Sequence, residues 1–213
     1  MSISITKKED GAHESEIDEL CKAEDKYFHD FLKALLRVDN RYIMWGYDYQ
    51  EDKGKKGITM VERIFAYELY HQFRTIMDNK ESYKGIFLNG ETKKDDSIYS
   101  MLYKKICYPD LVLHKDPGSV DPSGQYLLCE IKTAKNSNLF KDLQKLKKLE
   151  ECGLNFKYYI FLLVLGNFDD IKTNIKNKIK SLSSISKNTV CVTFSGNTIE
   201  YCRLEELTNE LNK

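Results

Sequence analysis

From Glu14 to Arg37 the apolar residues Ile17, Leu20, Cys21, Phe28, Phe31, Leu32, Leu35 and Leu36 recur at helical spacing among many charges. That period predicts an N-terminal helix with room for one break. The stripe stops in Gly46 to Gly57, GYDYQEDKGKKG, whose glycines and charges describe a solvated connector. It resumes over Ile58 to Met77 as a second helix, with Thr59 placed three residues before Glu62 as in a capping box.

The period then changes. Short β-type runs follow at Ile86 to Leu88, Ile106 to His114 and Tyr126 to Thr133. The link between the last two, KDPGSVDPSG, holds two prolines and two glycines, which predicts a long-loop hairpin. Asn138 to Glu151 returns to helical spacing with Leu139, Leu143 and Leu146 inward, and Gly153 is placed to end it. Lys157 to Gly166, KYYIFLLVLG, is apolar throughout, as a central strand covered on both faces must be. A helix over Asp169 to Leu182, a strand VCVTF and a C-terminal helix complete the expected elements. The order helix, strand, strand, strand, helix, strand from Ile58 to Gly166 implies an α/β fold, a mixed sheet flanked by helices. One domain is expected: an N-terminal helical extension and loop (1–57), a core (58–195) and a C-terminal helix (196–213).

Composition narrows the class. The chain has 213 residues, 41% hydrophobic and 31% charged, with 14 tyrosines and 3 prolines, which is a globular composition. Lys plus Arg and Asp plus Glu both total 33, so any grip on a polyanion must come from a local patch. The N-terminus lacks the apolar core of a signal peptide and no membrane-length apolar run occurs, so a cytoplasmic location is expected. The six cysteines show no CxxC or paired Cys/His spacing, and the four histidines, His114 among them, form no HxH or HxxxH pair. Phosphate-loop, dinucleotide-fold and nucleophile-elbow motifs are missing, which removes nucleotide-driven motors, dehydrogenases and serine-type hydrolases from consideration.

The residues that suggest chemistry sit on two successive strands. Pro109-Asp110 opens one, and Glu130-Ile131-Lys132 closes the next. Glu130 and Lys132 are two apart and so project from one face, with Tyr126 and Leu128; Leu127, Cys129 and Ile131 take the other. Antiparallel pairing brings Asp110 towards them. Two carboxylates beside a lysine suit phosphodiester hydrolysis, because hard oxygen ligands hold Mg²⁺, which acidifies a bound water and stabilises developing charge. Alternating Glu and Lys is also ordinary on a half-exposed strand, where it forms surface ion pairs.

The run PDLVLH, a turn-rich loop and YLLCEIKTA, preceded by a Glu-bearing helix and followed by a Lys-rich one, resembles the PD-(D/E)XK nuclease superfamily, the restriction-endonuclease-like fold. The resemblance covers about half the chain. It implies that Asp110 and Glu130 ligate Mg²⁺ or Mn²⁺, that Ile131 lends its backbone carbonyl, and that Lys132 assists the attacking water. It also implies a nucleic-acid substrate, DNA favoured over RNA, and settings such as restriction, repair or mobile-element defence.

Members of that superfamily often add a helical glutamate. Glu62 lies within the stripe of Val61, Phe65, Leu69, Phe73 and Ile76, whereas Glu68 lies at its margin; an ionised carboxylate facing a core is costly unless paired or metal-bound. Glu62 is therefore the candidate, with helix capping as its plainer alternative; Glu91, in LNGE after the first strand, is a further acid that could reach the metal, with an exposed turn position as its plainer alternative. Lys141, Lys145 and Lys148 form one helical ridge with Lys135 upstream; it either tracks a phosphate backbone or is a solvated face. Gln144 lies beside it, and His114 shares a face with Asp110 and Val112. No base-reading module is evident, so sequence specificity would come from the loops at Gly46 to Gly57 or Lys115 to Gly124, from a homodimer, or from a partner protein. A rival class is a non-catalytic interaction module on a retained nuclease fold, with the acids reduced to salt bridges.

Overall fold

The computed structural model describes residues 2–8, 13–43, 58–90, 109–115, 124–134, 139–151, 155–182 and 187–212. They form an α/β fold around a seven-stranded mixed sheet flanked by helices. The strands are β1 (Ile3–Thr6), β2 (Ile86–Gly90), β3 (Leu111–Lys115), β4 (Gln125–Thr133), β5 (Tyr158–Val164), β6 (Thr189–Phe194) and β7 (Thr198–Arg203), in the order β1-β7-β6-β5-β4-β3-β2. The helices are α1 (His13–Leu20), α2 (Lys26–Arg37), α3 (Ile58–Asp78), α4 (Leu139–Glu151), α5 (Phe168–Ile175), α6 (Ile179–Leu182) and α7 (Leu204–Leu211).

The sheet is parallel at its centre, β4-β5-β6, and antiparallel on both sides. Every residue of β5 is buried, because both faces are covered. Ile160 and Leu162 join Leu127, Cys129 and Ile131 of β4 in a core with Phe28, Phe31 and Leu35 of α2 and Phe65, Leu69 and Phe73 of α3. Tyr159, Phe161 and Leu163 face the other way, into a second core with Leu128 of β4, Leu139, Leu143 and Leu146 of α4, and Ile171 of α5. Each such side chain contributes about 1.5–3 kcal/mol when fully buried. The central strands are therefore a stiff platform, and groups at their ends are held in fixed positions.

The expected N-terminal helix is two, α1 and α2. The break falls at Cys21–Asp25, where Asp25 caps α2 by accepting N–H bonds from Tyr27 (2.9 Å) and Phe28 (3.2 Å). The helix expected over Asp169 to Leu182 is divided by a 3₁₀ turn at Lys176–Lys178 and starts at a capping box of Asn167 and Asp170. Two strands escape the sequence reading. β1 is four residues at the sheet edge whose only buried side chain is Ile5, too short for a period to register. β7 was absorbed into the expected C-terminal helix, 196–213, which is corrected here to a β6–β7 hairpin followed by α7. Gly196 supplies the turn with φ +95°, a backbone state that side chains rarely adopt.

The face assignment of Tyr126 is also corrected. The β3–β4 ladder pairs Leu113 with Leu127 but His114 with Gln125, so a bulge removes Tyr126 from the alternation. Its ring lies 4.2 Å from that of Tyr27, on the α2 side and away from Glu130 and Lys132. Among the described residues, no helix is long and apolar enough to cross a membrane.

Candidate active site

The antiparallel register of the β3–β4 hairpin decides the site. Leu111 pairs with Cys129, which puts Asp110 one residue before that pair and Glu130 one residue after it. The Asp110 N–H donates to the Cys129 carbonyl (3.0 Å), and the Ile131 N–H donates to Asp110 Oδ2 (2.6 Å). Asp110 is thus fixed at the mouth of the hairpin by a charge-assisted bond to β4. Burial and the neighbouring Glu130 carboxylate push its pKa up to about 7, against the opposing pull of the Ile131 N–H and of Lys132. Two acids are held closer than their charges favour.

Lys132 joins the elements. Its Nζ lies 3.3 Å from Glu130 Oε1 and 3.4 Å from Glu62 Oε2. Burial works against its ammonium form, yet the carboxylates of Glu130, Glu62, Asp110 and Asp142 outweigh it and hold its pKa above the ordinary lysine value. Lys132 is a fixed cation in this state, suited to orienting a water or a phosphate oxygen.

Glu62 stands on the first turns of α3, on the opposite face of the sheet, and reaches the C-terminal end of β4. There its Oε1 accepts bonds from the Thr133 N–H (3.2 Å) and Oγ1 (3.5 Å). Its carboxylate is directed at β4, so the structure brings together Asp110, Glu130, Lys132 and Glu62, with Ile131 between the two β4 residues. Glu68 is not part of this group; it accepts from Gln72 of its own helix at 2.7 Å. His114 lies at the far end of β3, within hydrogen-bond distance of the Asn89 amide (2.7 Å). Glu91, Lys135 and the Gly46 to Gly57 loop lie outside the described residues, as do the segment 116–123 and the side chains of Thr59 and Lys148.

Two members of the basic ridge on α4 have described side chains, Lys141 and Lys145. Lys141 is exposed, but Lys145 turns into the site, with its Nζ 2.9 Å from Glu130 Oε1 and 2.7 Å from Asp142 Oδ1. The middle member of the expected ridge is thus paired with two acids of the site, while Lys141 stays exposed.

Asp142 was missed by sequence reasoning. It is buried on α4 three residues after Leu139 and one before Leu143, a charge inside an apolar stripe. The argument that singled out Glu62 applies equally to it, and that signal was present in the sequence. Thr133, immediately after the Glu-x-Lys run, was also overlooked as a partner of Glu62.

Among the described residues, no group of three or more His, Cys, Asp or Glu side chains forms a ready metal cage. The oxygens are turned to internal donors instead: Glu130 Oε1 faces two ammonium groups, Glu62 faces a peptide N–H, and Asp110 faces another. The donor chemistry nonetheless fits a hard divalent cation. Lys132 experiences four carboxylates, and Lys145 is the second ammonium in the group, which leaves two negative charges uncompensated when all four acids ionise. No protein-family model matches the chain, and neither a curated protein nor a solved structure matches it.

Proposed function

We propose that this chain is a Mg²⁺- or Mn²⁺-dependent phosphodiesterase acting on nucleic acid, DNA in preference to RNA, on a restriction-endonuclease-like core. The observation that carries the reading is Lys132, whose ammonium bridges Glu130 from its own strand and Glu62 from across the sheet, next to a buried Asp110. The order α3-β2-β3-β4-α4-β5, with β2, β3 and β4 antiparallel and β5 parallel to β4, supports the same reading.

Asp110, Glu130, Glu62 and the Ile131 carbonyl would hold the metal. When bound, it supplies a more acidic water and charge stabilisation at the phosphorus. The chain's own groups do the rest. Asp110 is oriented by the Ile131 N–H, Glu62 by Thr133, and Lys132 stands ready to direct the attacking water and to offset charge on a non-bridging phosphate oxygen.

A non-catalytic binding module is the rival reading. It is favoured by the balanced count of 33 basic and 33 acidic residues and by the internal partners of the acids. Incubating the chain with single- and double-stranded DNA and RNA, with Mg²⁺, Mn²⁺ or EDTA, separates the two. The expected result is divalent-dependent cleavage that Asp110→Asn abolishes. Binding without cleavage under every metal condition would favour the module.

A further inference from the structure

The helix that carries Glu62 also carries Arg63, Tyr67, Tyr70 and Arg74, at i, i+4, i+7 and i+11. At about 100° per residue these four fall within about 60° of one another, on a flank of α3 beside the Phe65, Leu69 and Phe73 stripe that enters the core. Arg63, Tyr67 and Arg74 are exposed, and Tyr70 is half-buried. At 58%, Tyr67 is the most exposed large apolar side chain among the described residues, on a helix whose two phenylalanines are fully buried. Arg74 lies 3.2 Å from Asp78 in a pair whose side chains are 45% and 60% exposed; such surface pairs contribute little, so the guanidinium is free to change partner. The stripe also leads to the site. A Cβ added at Gly90, the last residue of β2, would lie 3.6 Å from Tyr70 Cδ2 and 3.9 Å from the Asp110 carbonyl oxygen, so the Tyr70 ring and the Asp110 backbone border the same glycine.

Two guanidinium groups with two phenol rings between them match one polymer well. A single strand of nucleic acid offers phosphates to the cations and unpaired base faces to the rings, whereas a duplex keeps its base faces inside the stack. Arg63 to Arg74 spans about 16 Å of helix, room for about five nucleotides at about 3.4 Å each. With 33 basic and 33 acidic residues the chain has no global field to hold a polyanion, so the grip must be local, as this flank is. We infer that the Arg63, Tyr67, Tyr70 and Arg74 flank of α3 is a binding track for single-stranded DNA. Tyr67 stacks on a base, the two arginines meet phosphates, and Tyr70 stands where the strand passes Gly90 towards Asp110. This inference rests on the nucleic-acid reading above and needs no metal. Tyrosine and arginine also serve protein interfaces; continuity of the stripe with the proposed site favours the strand.

The test is fluorescence anisotropy of a labelled single-stranded DNA of about 20 nucleotides, and of its duplex, titrated with the full chain in EDTA. The single strand should bind more tightly than the duplex. Tyr67→Ala should weaken single-strand binding about tenfold, as loss of one stacked base does, while Tyr67→Phe, which keeps the ring, should bind like wild type. Arg63→Gln combined with Arg74→Gln should lower the salt slope of log K by about 1.4, two phosphate contacts at about 0.7 each. These side chains are exposed, so the variants should fold, as circular dichroism checks, and the arginine pair gives a readout independent of Tyr67. Single-strand binding that neither Tyr67→Ala nor the arginine double variant weakens would overturn the track and leave the nucleic-acid reading standing. Duplex held as tightly as single strand would do the same. Self-association that Tyr67→Ala dissolves, seen by sedimentation, would assign the stripe to a second copy of the chain instead. Absence of binding to any DNA or RNA, in EDTA or in Mg²⁺, would overturn the nucleic-acid reading itself.

Discussion

Lys132 shows how much a single side chain can be asked to do. It is buried, bonded to acids from two elements, and kept charged by four carboxylates. Replacing it with Gln removes a buried cation and leaves Glu130 and Glu62 facing each other, an arrangement that costs roughly 3–5 kcal/mol when one partner of a buried pair is lost. Lys145 remains on Glu130 and softens the loss. Under the proposed function, the expected outcome for Lys132→Gln is a folded but less stable chain that binds Mg²⁺ by calorimetry and does not cleave. Mg²⁺ should restore part of the lost thermal stability. Cleavage at the wild-type rate would reduce Lys132 to a structural role. At this scale the sequence was informative for Asp110, Glu130 and Lys132, because strand alternation alone fixes which side chains share a face. For Lys145 it gave a helix face but no partner, because the Glu130 carboxylate that Lys145 meets stands on another element.

Among the elements, β5 and the turn after it hold the site's floor. Thr133 pairs with Val164, and the Ala134 N–H donates to the Val164 carbonyl at 3.1 Å, so the end of β4 is registered against the end of β5. Leu165 follows with φ 58°, in the left-handed region, held by its N–H bond to Phe194 (2.8 Å). Gly166 then passes so close that an added Cβ would lie 2.6 Å from Leu163 Cδ2 and 3.0 Å from the Ala134 Cβ. Leu163 is fully buried and cannot yield easily. Gly166→Ala should therefore destabilise the chain by about 1–3 kcal/mol. Chemical denaturation measures the loss, and an unchanged midpoint would mean that the turn has room the geometry does not show. The strand itself was legible from its unbroken apolar run. The reason for its terminal glycine was not, because the crowding comes from the turn that folds Gly166 back onto Leu163 and beside Ala134, just past the end of β4.

At the scale of the whole molecule, Asp110 couples the site to folding. Its pKa is raised from 3.8 to about 7 in the folded chain, so the folded state keeps a proton that the unfolded state loses first. Stability is then greatest below pH 4, declines as pH rises from about 4 to about 7, and is flat beyond. Other groups superimpose their own dependence, so the informative quantity is the difference from Asp110→Asn, which lacks the titration but can still accept the Ile131 N–H. In EDTA the wild-type melting temperature should fall relative to that variant by a few degrees between pH 5 and pH 8. Parallel curves would show that Asp110 titrates alike in both states. Saturating Mg²⁺ should remove the difference by favouring the ionised carboxylate.

Periodicity by itself determined the helices α2 and α3, the strands β3 to β6 and the α/β class, because each follows from how one segment divides its side chains between a core and solvent. It also placed Asp110 and the Glu130–Lys132 pair on adjoining strands. Only the tertiary structure decided that β1 and β7 complete the sheet, that Tyr126 leaves the alternation at a bulge, and that Glu62 reaches round to Thr133. It also decided that Lys145, the middle member of the expected ridge, meets both Glu130 and Asp142. Edge strands are too short for a period to show, and a charge's partner is set by which elements cross. A local pattern can mark an acid in an apolar stripe as needing a partner; the fold decides which one it finds.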